Sequence, residues 1–96
     1  MNLMEQKRRN DAFLEVENQF KEKYPRKTFG KNSCFVAPNG VIFRPFEFPD
    51  DNALAIEYAE TPEDAARNRF EDGDRFYLTD FPRDTLFRAM IAEIER

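Results

Sequence analysis

The chain has 96 residues and a formal net charge of −4, with no histidine, no tryptophan and a single cysteine. Eleven residues are Phe and 41% are apolar, which is enough large side chain for one modest core and too much for a disordered chain. The composition excludes Ser-His and Cys-His catalysis in their usual forms, the common zinc sites, a disulfide within the chain and any run of about 18 apolar residues able to cross a membrane.

The first element predicted is a helix. Phe13, Val16, Phe20 and Tyr24 recur at spacings of 3, 4 and 4, one stripe of an amphipathic helix over residues 3–24. Glu17 and Lys21 support it at i,i+4, and Pro25 stops it. Residues 26–32 read as a basic loop. "SCFVA" and "VIFRPFEF" then flank Pro38-Asn39-Gly40, the residues of a type I turn closed by a glycine bulge, so a hairpin is expected. Pro45 has no N–H to give a ladder and marks an edge or bulge of the second strand. "ALAIEYAE" alternates, with Leu54, Ile56 and Tyr58 on one face of a third strand. "TPED" opens a helix: Thr61 caps, Pro62 suits the first position, and Asp64 sits where the reciprocal acid belongs. That helix is expected to pass Phe70 and end at Gly73 in a left-handed cap. "RFYL" is a short extended piece. Pro82 opens a last helix, about residues 82–95, with Phe87, Met90, Ile91 and Ile94 turned inward.

The expectation is therefore one α+β domain over residues 1–96. It has an N-terminal helix, a three-stranded antiparallel sheet with helices on one face, a short helix, a short extended segment and a C-terminal helix. No charged leader with an apolar run opens the chain, so no signal peptide is expected, and a reducing cytoplasm is the default compartment.

Charge is divided along the chain. Residues 1–49 carry nine Lys or Arg and six Asp or Glu; residues 50–96 carry six Arg and thirteen Asp or Glu. Every lysine lies at or before Lys31. A bipolar molecule is expected, a property that governs association rather than fold.

The candidate sites follow from these features. "FEDGDRFYLTDF", residues 70–81, supplies Glu71, Asp72, Asp74 and Asp80 as hard oxygen ligands, but their spacing does not fit a calcium loop. The plainer reading is a capped turn whose carboxylates stand in solvent, with Phe70, Phe76 and Phe81 anchoring it. With Asp50, Asp51, Glu63 and Asp64, the residues Glu71, Asp72 and Asp74 make an acidic surface for a basic partner. Phe46 and Phe48 lie on the strand face opposite Phe43 and serve as anchors if no helix covers them. Lys21, Lys23, Arg26, Lys27 and Lys31, interleaved with Phe20, Tyr24 and Phe29, form the one patch suited to phosphates. "TFGKNS" has the Gly-Lys of a phosphate loop without its first glycine or its Ser/Thr. Cys34 has nothing beside it to activate a thiolate and reads as a small apolar strand residue.

In composition the chain resembles the small acidic proteins by which phages and mobile elements block host enzymes. The resemblance implies a non-enzymatic module that regulates or inhibits a larger protein, for instance a nucleic-acid-handling enzyme whose basic groove accepts carboxylates in place of phosphates. The alternative is a nucleic-acid accessory protein using the Lys21–Lys31 patch. Neither reading calls for a cofactor, a metal or a membrane, and either suits a monomer or a homodimer.

Overall fold

A computed structural model describes residues 3–96 and opens on helix α1, Leu3–Lys23. Its buried face is Arg9, Ala12, Val16 and Phe20, spaced 3, 4 and 4 and continued by Tyr24. Phe13 is only partly buried, at the margin of this stripe and one position round the helix from the buried Ala12. Glu17 and Lys21 pair at 3.8 Å, as the spacing predicts.

Five strands follow: β1 (Arg26–Phe29), β2 (Asn32–Val36), β3 (Ile42–Phe48), β4 (Ala53–Ala59) and β5 (Glu71–Tyr77). Each pairs antiparallel with the next, so spatial order equals chain order. The β2–β3 turn is as expected. Gly40 N–H donates to Ala37 C=O at 2.9 Å, and Gly40 takes φ +88 in the bulge position. Pro45 also has its expected setting. β2 pairs β3 only at Phe35↔Phe43 and Val36↔Ile42, so from Arg44 onward β3 has a partner on the β4 side alone.

The sheet exceeds the expected three strands by its two edges. The supposed basic loop is β1, folded onto β2 by the two-residue turn Gly30-Lys31. Gly30, at φ +61, provides the left-handed first position that such a turn requires. At the other edge, helix α2 is confined to Pro62–Ala66 and does not reach Phe70 or Gly73. Thr61 caps its start, accepting from Asp64 N–H at 3.0 Å. Its end is a Schellman motif: Asn68 takes φ 59, Arg69 N–H donates to Asp64 C=O at 2.8 Å, and Asn68 N–H donates to Ala65 C=O at 3.2 Å. Asn68, not Gly73, is the left-handed cap. The chain is thus free to run extended through Glu71–Tyr77, where a helix end and turn at Gly73 and only a short extended piece from Arg75 were expected.

Helix α3, Arg83–Ile94, buries Leu86, Met90 and Ile94; Phe87 and Ile91 flank them and are partly buried. Helices α1 and α3 lie on the same sheet face over Phe35, Phe43, Leu54, Ile56 and Phe76. Aromatic rings dominate this core. Phe20 and Tyr24 meet Phe43 edge-on at 5.2 and 5.3 Å between centroids, geometry worth about 0.5–1.5 kcal/mol per pair beyond simple burial. On the opposite face α2 covers a smaller cluster of Cys34, Ile42, Ala59 and Ala65.

Candidate functional site

The register assigns Arg44, Phe46 and Phe48 of β3 to the face away from α1 and α3. Opposite them stand Glu57, Ala55 and Ala53 of β4, and beyond these Asp72, Arg75 and Tyr77 of β5. With only five residues, α2 spans about 7.5 Å and packs chiefly on β1, β2 and β4, reaching β3 only at Ile42 at the opposite end from Phe48. The half of this face near the β3–β4 turn has no helix over it. Phe46 remains 38% exposed and Tyr77 40%, while Ala53 and Ala55 beneath the rings are fully buried.

The side chains on this uncovered half brace one another. Phe46 and Phe48 meet edge-on, 4.9 Å apart at 78°. The Arg75 guanidinium lies 4.1 Å from the centre of the Phe48 ring and pairs with Asp51. Arg44 lies 3.9 Å from the centre of the Phe70 ring, pairs with Glu57, and donates to Asn68 Oδ1 at 2.7 Å. Both arginines stack on rings and are paired with carboxylates within the array, so the centre of the patch is apolar. The facing of Phe46 and Phe48, opposite to Phe43, was legible from their alternation. The same alternation puts Arg44 on this face; Arg75 and Tyr77 were not legible there, because they belong to a strand with no apolar period.

The expected acidic surface is divided in two. Asp50 and Asp51 lie in a 3-10 turn between β3 and β4. Glu63 and Asp64 start α2 at the far end of β4, whose seven residues span about 23 Å. Glu71, Asp72 and Asp74 lie along β5, an edge. Three of the seven are paired: Asp51 with Arg75, Glu63 with Arg67 at 2.9 Å, and Asp74 with Arg96 at 3.5 Å. Asp50, Asp64, Glu71 and Asp72 have no cationic partner among the described residues. The group at the far end surrounds Tyr58 in shallow depressions that also include Glu60 and Glu93. The Tyr58 hydroxyl donates to Glu93, and burial together with that carboxylate raises its pKa well above the ordinary phenol value. Among the described residues no group of three or more acidic or cysteine side chains could hold a metal ion.

The basic patch loses its aromatics to the core. Phe20 is fully buried and Tyr24 nearly so, which leaves neither ring free to stack on a base. Lys21 is paired with Glu17, Lys23 lies 5.4 Å from the Tyr24 ring centre, and Arg26 lies 5.6 Å from that of Phe35. Lys27 and Lys31 project freely from β1 and its turn. Cys34 is fully buried, and burial pushes its thiol up, away from the thiolate a nucleophile needs. The most apolar hollow, about 290 Å³, lies between α1 and the β5–α3 turn; Leu78, Phe81 and Leu86 line it, and none of the expected site residues does. No helix among the described residues is long and apolar enough to cross a membrane.

No protein-family model matches this chain, and no curated protein sequence and no solved structure matches it either.

Proposed function

We propose that this protein is a non-enzymatic binding module that docks a larger protein on the uncovered half of its sheet. Phe46, Phe48 and Tyr77 are the anchors, and Asp50 and Asp72 form an acidic border. One observation carries the reading: the rings stand exposed above alanines that they already seal, so their outer faces contribute nothing further to this chain's own core. Aromatic side chains with stacked arginines are the residues that interfaces concentrate at their centres. The unpaired carboxylates favour a partner with a basic rim, such as the groove of a nucleic-acid-handling enzyme, and would hasten association in a salt-sensitive way.

The test is affinity capture from the native cell's lysate, with and without nuclease, using wild type, Phe46→Ser/Tyr77→Ser and Asp72→Lys. A nuclease-resistant partner held by wild type and lost by the folded serine variant supports the reading, with Asp72→Lys weakening capture more at low salt. A partner retained in full by the folded serine variant overturns it. Recovery that vanishes with nuclease transfers the function to Lys27 and Lys31.

A further inference from the structure

The two edges of the sheet are opposite in charge. The hairpin that forms one edge, residues 23–32, carries Lys23, Arg26, Lys27 and Lys31 and no acid, and none of the four makes an ion pair among the described residues. The other edge begins Glu71-Asp72-Gly73-Asp74, with its one cation, Arg75, already paired to Asp51. The edges are four strand spacings apart, about 19 Å.

Both edges also have free main-chain groups. Val36 N–H donates to Pro25 C=O at 3.1 Å, and in the register that includes Lys27↔Cys34 and Phe29↔Asn32 the hydrogen-bonded pairs alternate. The N–H and C=O of Arg26 and Thr28 therefore point away from β2. Leu78 N–H donates to Asn52 C=O at 3.2 Å, which by the same alternation turns the main-chain groups of Arg75 and Tyr77 away from β4. The β1 edge thus offers the donors and acceptors of two residues, two apart; the β5 edge offers those of Arg75 and the N–H of Tyr77, whose C=O already accepts from Asp80 N–H at 2.9 Å and Phe81 N–H at 3.1 Å.

Like charges on each edge oppose the symmetric contacts, β1 against β1 and β5 against β5. The remaining pairing joins opposite charges. We propose that β1 of one copy of this chain docks along β5 of a second copy, continuing the sheet from molecule to molecule. Such a contact is heterologous and leaves a free edge at each end of the assembly. An odd number of antiparallel strands makes β1 and β5 run the same way, so a copy added by translation keeps the uncovered aromatic face on one side. Repeated copies would then present that face several times to a partner. This contact shares Asp72 and Tyr77 with the proposed docking face but uses neither Phe46 nor Phe48, and sedimentation of the chain alone tests it apart from that face.

The experiment is sedimentation velocity on the full chain at about 1 mM, the range in which a contact this small associates. Wild type is expected to associate at about 20 mM salt and to dissociate at about 500 mM, where the screening length falls below 5 Å. Lys27→Glu/Lys31→Glu and Glu71→Lys/Asp72→Lys are each expected to be monomeric alone and to associate when mixed in equal amounts. Thr28→Pro keeps every charge and the β2 ladder but removes an outward N–H; it is expected to abolish association with its melting temperature unchanged. Wild type that stays monomeric at low salt overturns the proposal whatever the variants do. So does association that survives either charge reversal, or a mixture that stays monomeric while wild type associates.

Discussion

The carboxylate of Glu93, near the end of α3, rests against the α-carbon of Gly73 on β5. A side chain at position 73 would place its Cβ 2.5 Å from Glu93 Oε2. Glu93 is held there from two sides: Oε1 accepts from Asp74 N–H at 2.7 Å, and Oε2 accepts from the Tyr58 hydroxyl. Gly73 and Asp74 together oppose Ile56 alone, since Ala55 pairs Arg75 and Glu57 pairs Asp72. This is a β-bulge, and Glu93 satisfies the amide that the bulge takes out of the ladder. Gly73→Ala must displace the carboxylate and is expected to cost about 1–3 kcal/mol, measured by urea denaturation. Glu93→Ala removes the same contacts, so the double variant should lose less than the sum of the two. Additive losses would show that Gly73 and Glu93 act separately.

Alkaline pH should weaken the fold through two tyrosines. Burial raises Tyr24 above its ordinary 10.0, with the Glu95 carboxylate adding to it; burial and then Glu93 do the same for Tyr58. A phenol that keeps its proton more tightly when folded contributes fully below the unfolded value and loses that contribution as pH rises above it. Melting temperature is therefore expected to be insensitive to these two groups up to about pH 10 and to fall beyond it. Absorbance at the tyrosinate band should show Tyr24 and Tyr58 ionising together with unfolding. Ionisation of all three tyrosines near pH 10 in the folded protein would contradict this.

Arg9 is a buried cation on α1, bonded to Glu47 at 2.9 Å and to the Pro49 carbonyl at 3.2 Å. It fixes the helix to β3 where β3 has no β2 neighbour. Arg9→Ala leaves Glu47 and that carbonyl without their donor and should cost about 2–4 kcal/mol in a denaturant titration. Arg9→Met, which fills the space, is expected to lose less than Arg9→Ala. Equal losses would mean that charge alone matters there.

Asn68 ends α2 in the left-handed region and receives Arg44 on its side-chain oxygen. Asn68→Ala should cost about 1–2 kcal/mol, from the strained backbone and the lost hydrogen bond. Asn68→Gly restores the backbone term only and should recover about half of that loss. A glycine variant as unstable as the alanine variant would place the whole effect on Arg44.

Phe43 and Phe46 are three residues apart on one strand and face opposite ways. Phe43 is fully buried under α1 and α3, and Phe46 stands over the uncovered half of the other face. Phe43→Ala is expected to cost about 3–5 kcal/mol, and Phe46→Ala under about 1.5 kcal/mol, because only part of the second ring leaves water on folding. Thermal melts of the two variants check the contrast.

Features carried by adjacent residues were readable without the structure. Pro38-Asn39-Gly40 specifies its turn because the needed φ values belong to those residue types. Thr61 through Asp64 specify a helix start because donor and acceptor are three residues apart. The alternation in β3 separated Phe43 from Phe46 and Phe48. The edges were hidden for a single reason: β1 and β5 expose most of their side chains, so neither has an apolar period to betray a strand. Gly30-Lys31 was the one local sign of β1, a glycine at the first position of a two-residue turn. For β5 even the glycine misled. Gly73 suggested a helix cap, whereas its role depends on Glu93, twenty residues away.

The division of charge between the two halves of the chain was a property of the sequence alone. Its placement at opposite edges was decided by the meander, in which each strand lies beside its chain neighbour, so that order along the chain becomes order across the sheet. The exposure of the aromatic face was likewise decided in three dimensions. Asn68 ends α2 after five residues, and a helix that short covers only half of the face it lies on.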